Sequence, residues 1–333
     1  MTLILLFFLI DLAKQSIKIM TLTNIRFPED NPFARIKVRQ IFGWVWLFGL
    51  GIYFQIAMIA YTQGITFDGK EPLVKAILDA YLGILIVALV WRQCRLAGIE
   101  IKYLVGKVPD RYQWLPLVGL AIASVVFSIS LFRIFYYPLS FIVPSFVEQL
   151  VRDGRNSSIL IAASKTFFPA LYYLIYAIYY CAIFPLCLAF ILMAVILHRW
   201  AAKWGNIPAI IPVFLLYIIS FLPSNLVTII IMFLIYEILY AKTRSLFVLI
   251  IFMVLRNIIF IGWDLSYTVF FDNQTGSTLE IFRSQIQLGV LFFALSAPCV
   301  IGFIYKNWSV LKGPLPYFAN ASEAEKIKAD SDT

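Results

Sequence analysis

Eight apolar stretches constrain this chain more than any other feature. They run over 42–62, 74–91, 115–136, 169–197, 207–222, 225–240, 246–263 and 287–305. A helix needs about 20 apolar residues to cross the hydrocarbon of a bilayer, and most of these stretches approach or exceed that length. Hydrophobic residues make up 62% of the chain and charged residues 14%. A soluble domain holds about 45–50% and about 25%. One soluble core cannot hide so much apolar surface. The expected fold is all-α: a polytopic membrane helix bundle of about eight transmembrane helices. This excludes secreted, nucleic-acid-binding and disordered classes. The net charge of +9 is read as basic cytoplasmic loops rather than a nucleic-acid surface.

The basic residues give the expected orientation. With the N-terminus inside, 19 of the 27 Lys and Arg fall in inner segments and six in outer ones, with Arg133 and Arg256 inside spans. The bias predicts both termini cytoplasmic. Residues 1–41 are then a cytoplasmic segment, 42–308 the transmembrane domain and 309–333 a disordered cytoplasmic tail. Residues 1–10 are apolar but too short to span; either Met20 is the true start, or they form a short interfacial segment. The fifth and sixth spans are short and divided by Leu222, Pro223 and Ser224. Pro185 is expected to kink the long fourth span. Trp44, Trp46, Trp91, Trp114, Tyr136 and Tyr137 cluster at span ends, as an interfacial belt would. Residues 96–114 are expected along the inner face, and 137–168 as the longest outer loop. Cys94, Cys181, Cys187 and Cys299 have no metal-ligand spacing and read as packing residues. No metal or cofactor is expected.

Ionisable groups inside a span cost about 2.5–3.5 kcal/mol on insertion scales, so each needs a reason. Glu237 lies about one turn from the inner end of span six. Arg256 is mid-span in the seventh, beside Asn257. These three form the candidate intramembrane polar site. Pairing of Glu237 with Arg256, or its capture by a Tyr hydroxyl, is the plainer expectation, although the two depths differ by about 10 Å. Asp79 and Asp264 lie near outer span ends, and Arg133 is placed to snorkel outward. The single histidine, His198, is expected as a cation at the inner end of span four.

Residues 182–205 read AIFPLCLAFILMAVILHRWAAKWG, 240–246 YAKTRSL, 254–259 VLRNII and 298–308 PCVIGFIYKNW. In order and spacing they resemble the CPBP family of intramembrane proteases, which includes type II CAAX prenyl proteases and bacteriocin-immunity proteins. The resemblance spans roughly 95–308 and implies an intramembrane peptidase scaffold. Its motif positions are degenerate here. Its paired glutamates fall on Leu188 and Ala189, and its arginine on Met193. Its Phe-x-x-x-His falls on Tyr217 and Phe221, and its His-x-x-x-Asn on Met253 and Asn257. Only Asn257 keeps its identity. Peptide hydrolysis by activated water needs a general base and donors for the oxyanion, which Leu, Ala, Met and Phe do not supply. The resemblance therefore implies a proteolytically inactive membrane protein, acting through the bilayer and a membrane-protein partner as a binding or assembly factor. The alternatives are an enzyme with a relocated site at Glu237, Arg256 and Asn257, and a transporter. A dry interior at Leu188, Met193, Phe221 and Met253 would favour the first reading, and a wet cavity at Glu237 the others.

Overall fold

The structure, a computed structural model, describes residues 31–62, 71–109, 112–156, 158–221, 226–271 and 278–331. Among these there is no strand. After a 3-10 turn at Pro32–Arg35 come α1 (Val38–Thr62), α2 (Pro72–Leu96), the short α3 (Ile101–Val105), α4 (Trp114–Ile142), α5 (Pro144–Asn156) and α6 (Ile159–Ser164). The long α7 (169–204) follows, then α8 (Asn206–Phe221), α9 (Leu226–Thr243), α10 (Leu246–Phe271) and α11 (Thr278–Ser284). The chain ends with α12 (Ile286–Asn307), a 3-10 turn at Trp308–Lys312 and α13 (Pro316–Ser331).

Each of the eight apolar stretches is helical over its described residues. Lipid offers the backbone no hydrogen-bond partner, and a helix satisfies its N–H and C=O groups internally. Five of the described helices are long and apolar enough to cross a membrane, in α2, α4, α7, α10 and α12. The fold is thus a helical bundle of membrane type.

α4 is its axis. α12 packs along α4, and α9 and α10 also contact it. Gly289 permits the α4–α12 approach, because a Cβ there would lie 3.2 Å from Arg133 Cβ. The second half of α7 shares one core with α8, α9 and α10, through Met193, Val213, Met232 and Phe252 among others.

α7 is not a uniform α-helix. It is π-helical over Tyr179–Ile183 and again over Leu188–Ile196. Pro185 lies between the two segments. It lacks an N–H and its ring crowds the carbonyl four residues back, which explains the widened turn before it.

Three expectations are corrected. The tail expected to be disordered over 309–333 is helical over Pro316–Ser331. It is docked: Asn320 Nδ2 donates to the carbonyls of Tyr103 and Arg244, both at 2.9 Å. Its low hydropathy removes it from the lipid, not from packing. The segment 137–168 is not an open loop. α4 continues to Ile142, and α5 follows with Val147, Leu150 and Val151 on its inner face. Those residues recur at helical spacing.

His198, lastly, is fully buried. Its Nε2 accepts from the Tyr317 backbone N–H at 3.2 Å, so that nitrogen carries no proton and the ring is not an imidazolium. Phe33 stacks on the imidazole at a ring separation of 5.0 Å. Tyr317 and Phe318 pack edge-on against Phe33. The segment before α1 and the segment after α12 therefore meet at the same end of α7.

α3 is held in the same region. Tyr240 donates from its hydroxyl to the Leu104 carbonyl at 3.2 Å. Gly106 follows α3 at φ +65°, a conformation that disfavours any side chain. A Cβ there would meet the Arg244 carbonyl oxygen at 2.0 Å. Gly106→Ala is expected to cost about 2–4 kcal/mol, read as a lower thermal midpoint in detergent by tryptophan fluorescence. An unchanged midpoint would mean that this crossing does not hold α3 against the α9–α10 turn.

Candidate functional site

α10 places its polar and aromatic residues on one face. Arg256, Phe260, Trp263, Asp264, Tyr267 and Thr268 recur at steps of three and four and line a single cavity. Its volume is about 450 Å³, within the usual range for small-molecule sites. Arg256 and Thr268 are twelve residues apart, so this face extends for about 18 Å. The remaining walls come from α4, α5, α7, α8, α9 and α11. Apolar side chains such as Ile129, Phe184 and Met232 line much of it.

At one end of this face the Arg256 guanidinium meets the hydroxyls of Tyr180, Tyr217 and Tyr236, with Tyr180 within hydrogen-bond reach. Tyr217 and Tyr236 bond to each other. Arg256 Nη1 lies 3.4 Å from Asn257 Oδ1. Asn257 Nδ2 donates to the Tyr180 carbonyl at 2.7 Å, bridging α10 to the first π segment of α7. That segment is where a widened turn leaves carbonyls imperfectly aligned for their own helix. Arg256 Nε has no partner.

Further along, Arg133 of α4 is 7% exposed. It does not snorkel outward as its position near a span end suggested. Its guanidinium lies 5.6 Å from the Tyr267 ring centre, and Tyr267 is also its hydrogen-bond partner. The Tyr267 hydroxyl donates to Gln285 Oε1 at 3.0 Å. Arg133 Nη1 and Gln285 Nε2 remain without partners. Arg155, at the end of α5, adds a third guanidinium to the lining.

The single carboxylate in the lining, Asp264, is engaged elsewhere. Its Oδ2 accepts from the Ser158 hydroxyl and the Ile159 N–H, both at 3.0 Å, and so caps α6. The cavity thus carries an excess of positive charge and of unsatisfied donors.

The three residues proposed from sequence as one polar site are not brought together. Arg256 and Asn257 are adjacent, but Glu237 lines a different cavity, of about 20 Å³, between the start of α8 and the end of α9. No ion pair joins Glu237 to Arg256 among the described residues. Glu237 is 2% exposed and its Oε1 has no partner. Asn206 Oδ1 lines the same small space and is also unpartnered. Tyr240 is close, but its hydroxyl is committed to Leu104. The space has room for about one water molecule, which could donate to both oxygens.

The degenerate motif positions lie elsewhere again. Leu188, Ala189, Met193, Tyr217 and Met253 belong to one hydrophobic core. Of these only Tyr217 reaches the large cavity. Asn257 is buried. The side chain of Phe221 lies outside the described residues. The described residues contain no group of three or more His, Cys, Asp or Glu able to hold a metal ion.

No protein-family model, curated protein or solved structure matches this chain.

Sequence reasoning missed Tyr180, Tyr217, Tyr236, Tyr267 and Gln285 as partners of the buried arginines. The periodic face of α10 was the available signal.

The separation of Glu237 from any cation gives a direct check. Breaking a buried ion pair costs about 3–5 kcal/mol. Glu237→Gln is expected to change stability by less than about 1 kcal/mol, read from thermal unfolding in detergent. A loss in the ion-pair range would reveal a cation at Glu237.

Proposed function

We propose that this chain is a multi-pass membrane protein, similar in scaffold to CPBP intramembrane proteases, that binds a component of the bilayer and does not cleave peptides. The observation that carries the reading is the cavity at Arg256. It presents guanidinium groups and hydroxyls, while its one carboxylate is held as a helix cap. A peptidase of this kind needs a base beside a water.

Burial of Leu188, Ala189, Met193 and Met253 supports the same reading. Those side chains fill space where the resemblance would place the catalytic glutamates, the arginine and a histidine. The pocket at Glu237 is about 20 Å³ and separate from the larger cavity, which favours neither a relocated active site nor an ion pathway through Glu237. The eight-span arrangement draws support from α1, α8 and α9, which are helical over the other three apolar stretches. Cytoplasmic placement of both ends draws support from the charge bias and from the meeting of Phe33 with Tyr317.

Size favours a small occupant. A helix is about 10 Å across and rises about 5.4 Å per turn. The cavity volume therefore equals about one turn of helix. A partner membrane protein would pack on the outside of the bundle, and the cavity suits a smaller molecule.

Two measurements test the reading. The purified full chain in nanodiscs is expected to leave transmembrane and prenylated reporter peptides uncut, with Glu237→Gln and Asn257→Leu variants indistinguishable from it. Lipid extract is expected to raise the thermal midpoint of the wild type, since a ligand that binds only the folded state stabilises it. Met232→Trp, which fills the cavity, should lose that rise. Peptide turnover abolished by Glu237→Gln or Asn257→Leu would overturn the proposal.

A further inference from the structure

We infer that the cavity between α4, α9 and α10 is a binding site for an oxyanion, a phosphate or carboxylate, carried on an apolar body. The inference rests on the binding role proposed above and names the class of ligand.

Three observations carry it. The first is charge. Arg133, Arg155 and Arg256 line the cavity against one carboxylate, Asp264. Asp264 already accepts two hydrogen bonds from Ser158 and Ile159. The second is donors. Arg133 Nη1, Arg256 Nε and Gln285 Nε2 are buried, line this one cavity, and have no acceptor. Arg133 and Gln285 are more than nine-tenths buried. A buried guanidinium donor without an acceptor is costly, because the charge has left water and nothing replaces the lost bonds. An oxyanion would satisfy all three groups, and arginine suits phosphate and carboxylate by its planar fork. The third is the walls. Apolar and aromatic side chains such as Ile129, Phe132, Met232 and Phe260 line the same space. They fit an acyl body attached to the oxyanion. A cation is disfavoured by the arginines, and an uncharged amphiphile would leave the donors unmet.

The hydrogen-bond order sets the geometry of the site. Tyr267 binds Arg133 and Gln285 together, and Asn257 holds Arg256 toward Tyr180. Arg133 and Arg256 are therefore each held by neutral groups among the described residues. This preorganises the cavity for an incoming anion.

The same chemistry could reach the site as a lipid headgroup from the bilayer or as a soluble phosphate, and the test separates them. The full chain, purified in an uncharged maltoside detergent, is titrated by calorimetry with dioctanoyl phosphatidic acid, dioctanoylglycerol and inorganic pyrophosphate. Phosphatidic acid is expected to bind at least ten times more tightly than dioctanoylglycerol, which has the same acyl body and no oxyanion. Arg133→Gln and Arg256→Gln should each remove most of that preference. Pyrophosphate binding with the same arginine dependence assigns a soluble source, and its absence assigns the lipid. Both outcomes support an oxyanion site. If either arginine variant loses its thermal transition, the uncharged Gln285→Leu carries the comparison. It should weaken phosphatidic acid about threefold and leave dioctanoylglycerol unchanged. Equal affinity for the two lipids in the wild type overturns the inference, as does a preference that survives all the variants that fold. Such a result removes the ligand class and leaves the binding role standing. Peptide cleavage would remove the binding role without altering the arginine dependence.

Discussion

A guanidinium taken out of water must be solvated by something, and the middle of this bundle is organised around that requirement at Arg256. In hydrocarbon the charge costs several kcal/mol unless polar groups surround it. Three tyrosines converge on it from α7, α8 and α9, and Asn257 lies beside it on α10. These groups are neutral. They lower the cost of the charge without cancelling it. A carboxylate partner would have closed the site into an ion pair. Its absence leaves a positive potential inside a mainly apolar shell, where electrostatic interactions are strong.

The two ends of the bundle manage polar groups differently. Around Glu237 the solution is closure. The 3-10 turn after α12 and the start of α13 cover the carboxylate, leaving only a water-sized gap. At His198 an aromatic cluster built from both ends of the described chain seals the ring, and the Tyr317 N–H donates to its Nε2. On the other side, α5 and α11 pack on each other beside Arg155 and contribute to the cavity wall. One end is packed, and the other retains volume. The difference follows from side chains: small residues and glycine at Gly106 let α3 meet the α9–α10 turn, whereas large aromatic groups and arginines line the cavity and cannot all meet.

α7 links the two regions. Its first π segment offers the Tyr180 carbonyl to Asn257. Its second carries Leu188, Ala189 and Met193 into the dry core. The apolar Leu188, Ala189 and Met193 and the cavity-lining Tyr180 and Phe184 therefore sit on one helix but face different surroundings.

The sequence by itself determined the helical class and the approximate place of the long helices, because backbone in lipid must be satisfied along the chain and apolar length reports this directly. It also held the face of α10, since Arg256, Phe260, Trp263, Asp264, Tyr267 and Thr268 recur at helical spacing. The sequence singled out Glu237, Arg256, Asn257, Arg133 and Asp264 as residues in need of partners. Tertiary structure alone decided who those partners are. Tyr267 serves Arg133 across 134 positions, Asn257 serves the Tyr180 carbonyl across 77, and Glu237 meets no cation among the described residues. The docked α13 was hidden for the same reason. Its polar composition records that it left the lipid, but its bonds to Tyr103 and Arg244 depend on where distant backbone carbonyls come to rest. Periodicity specifies which face a residue lies on. Only the packing of one helix against another specifies what that face meets.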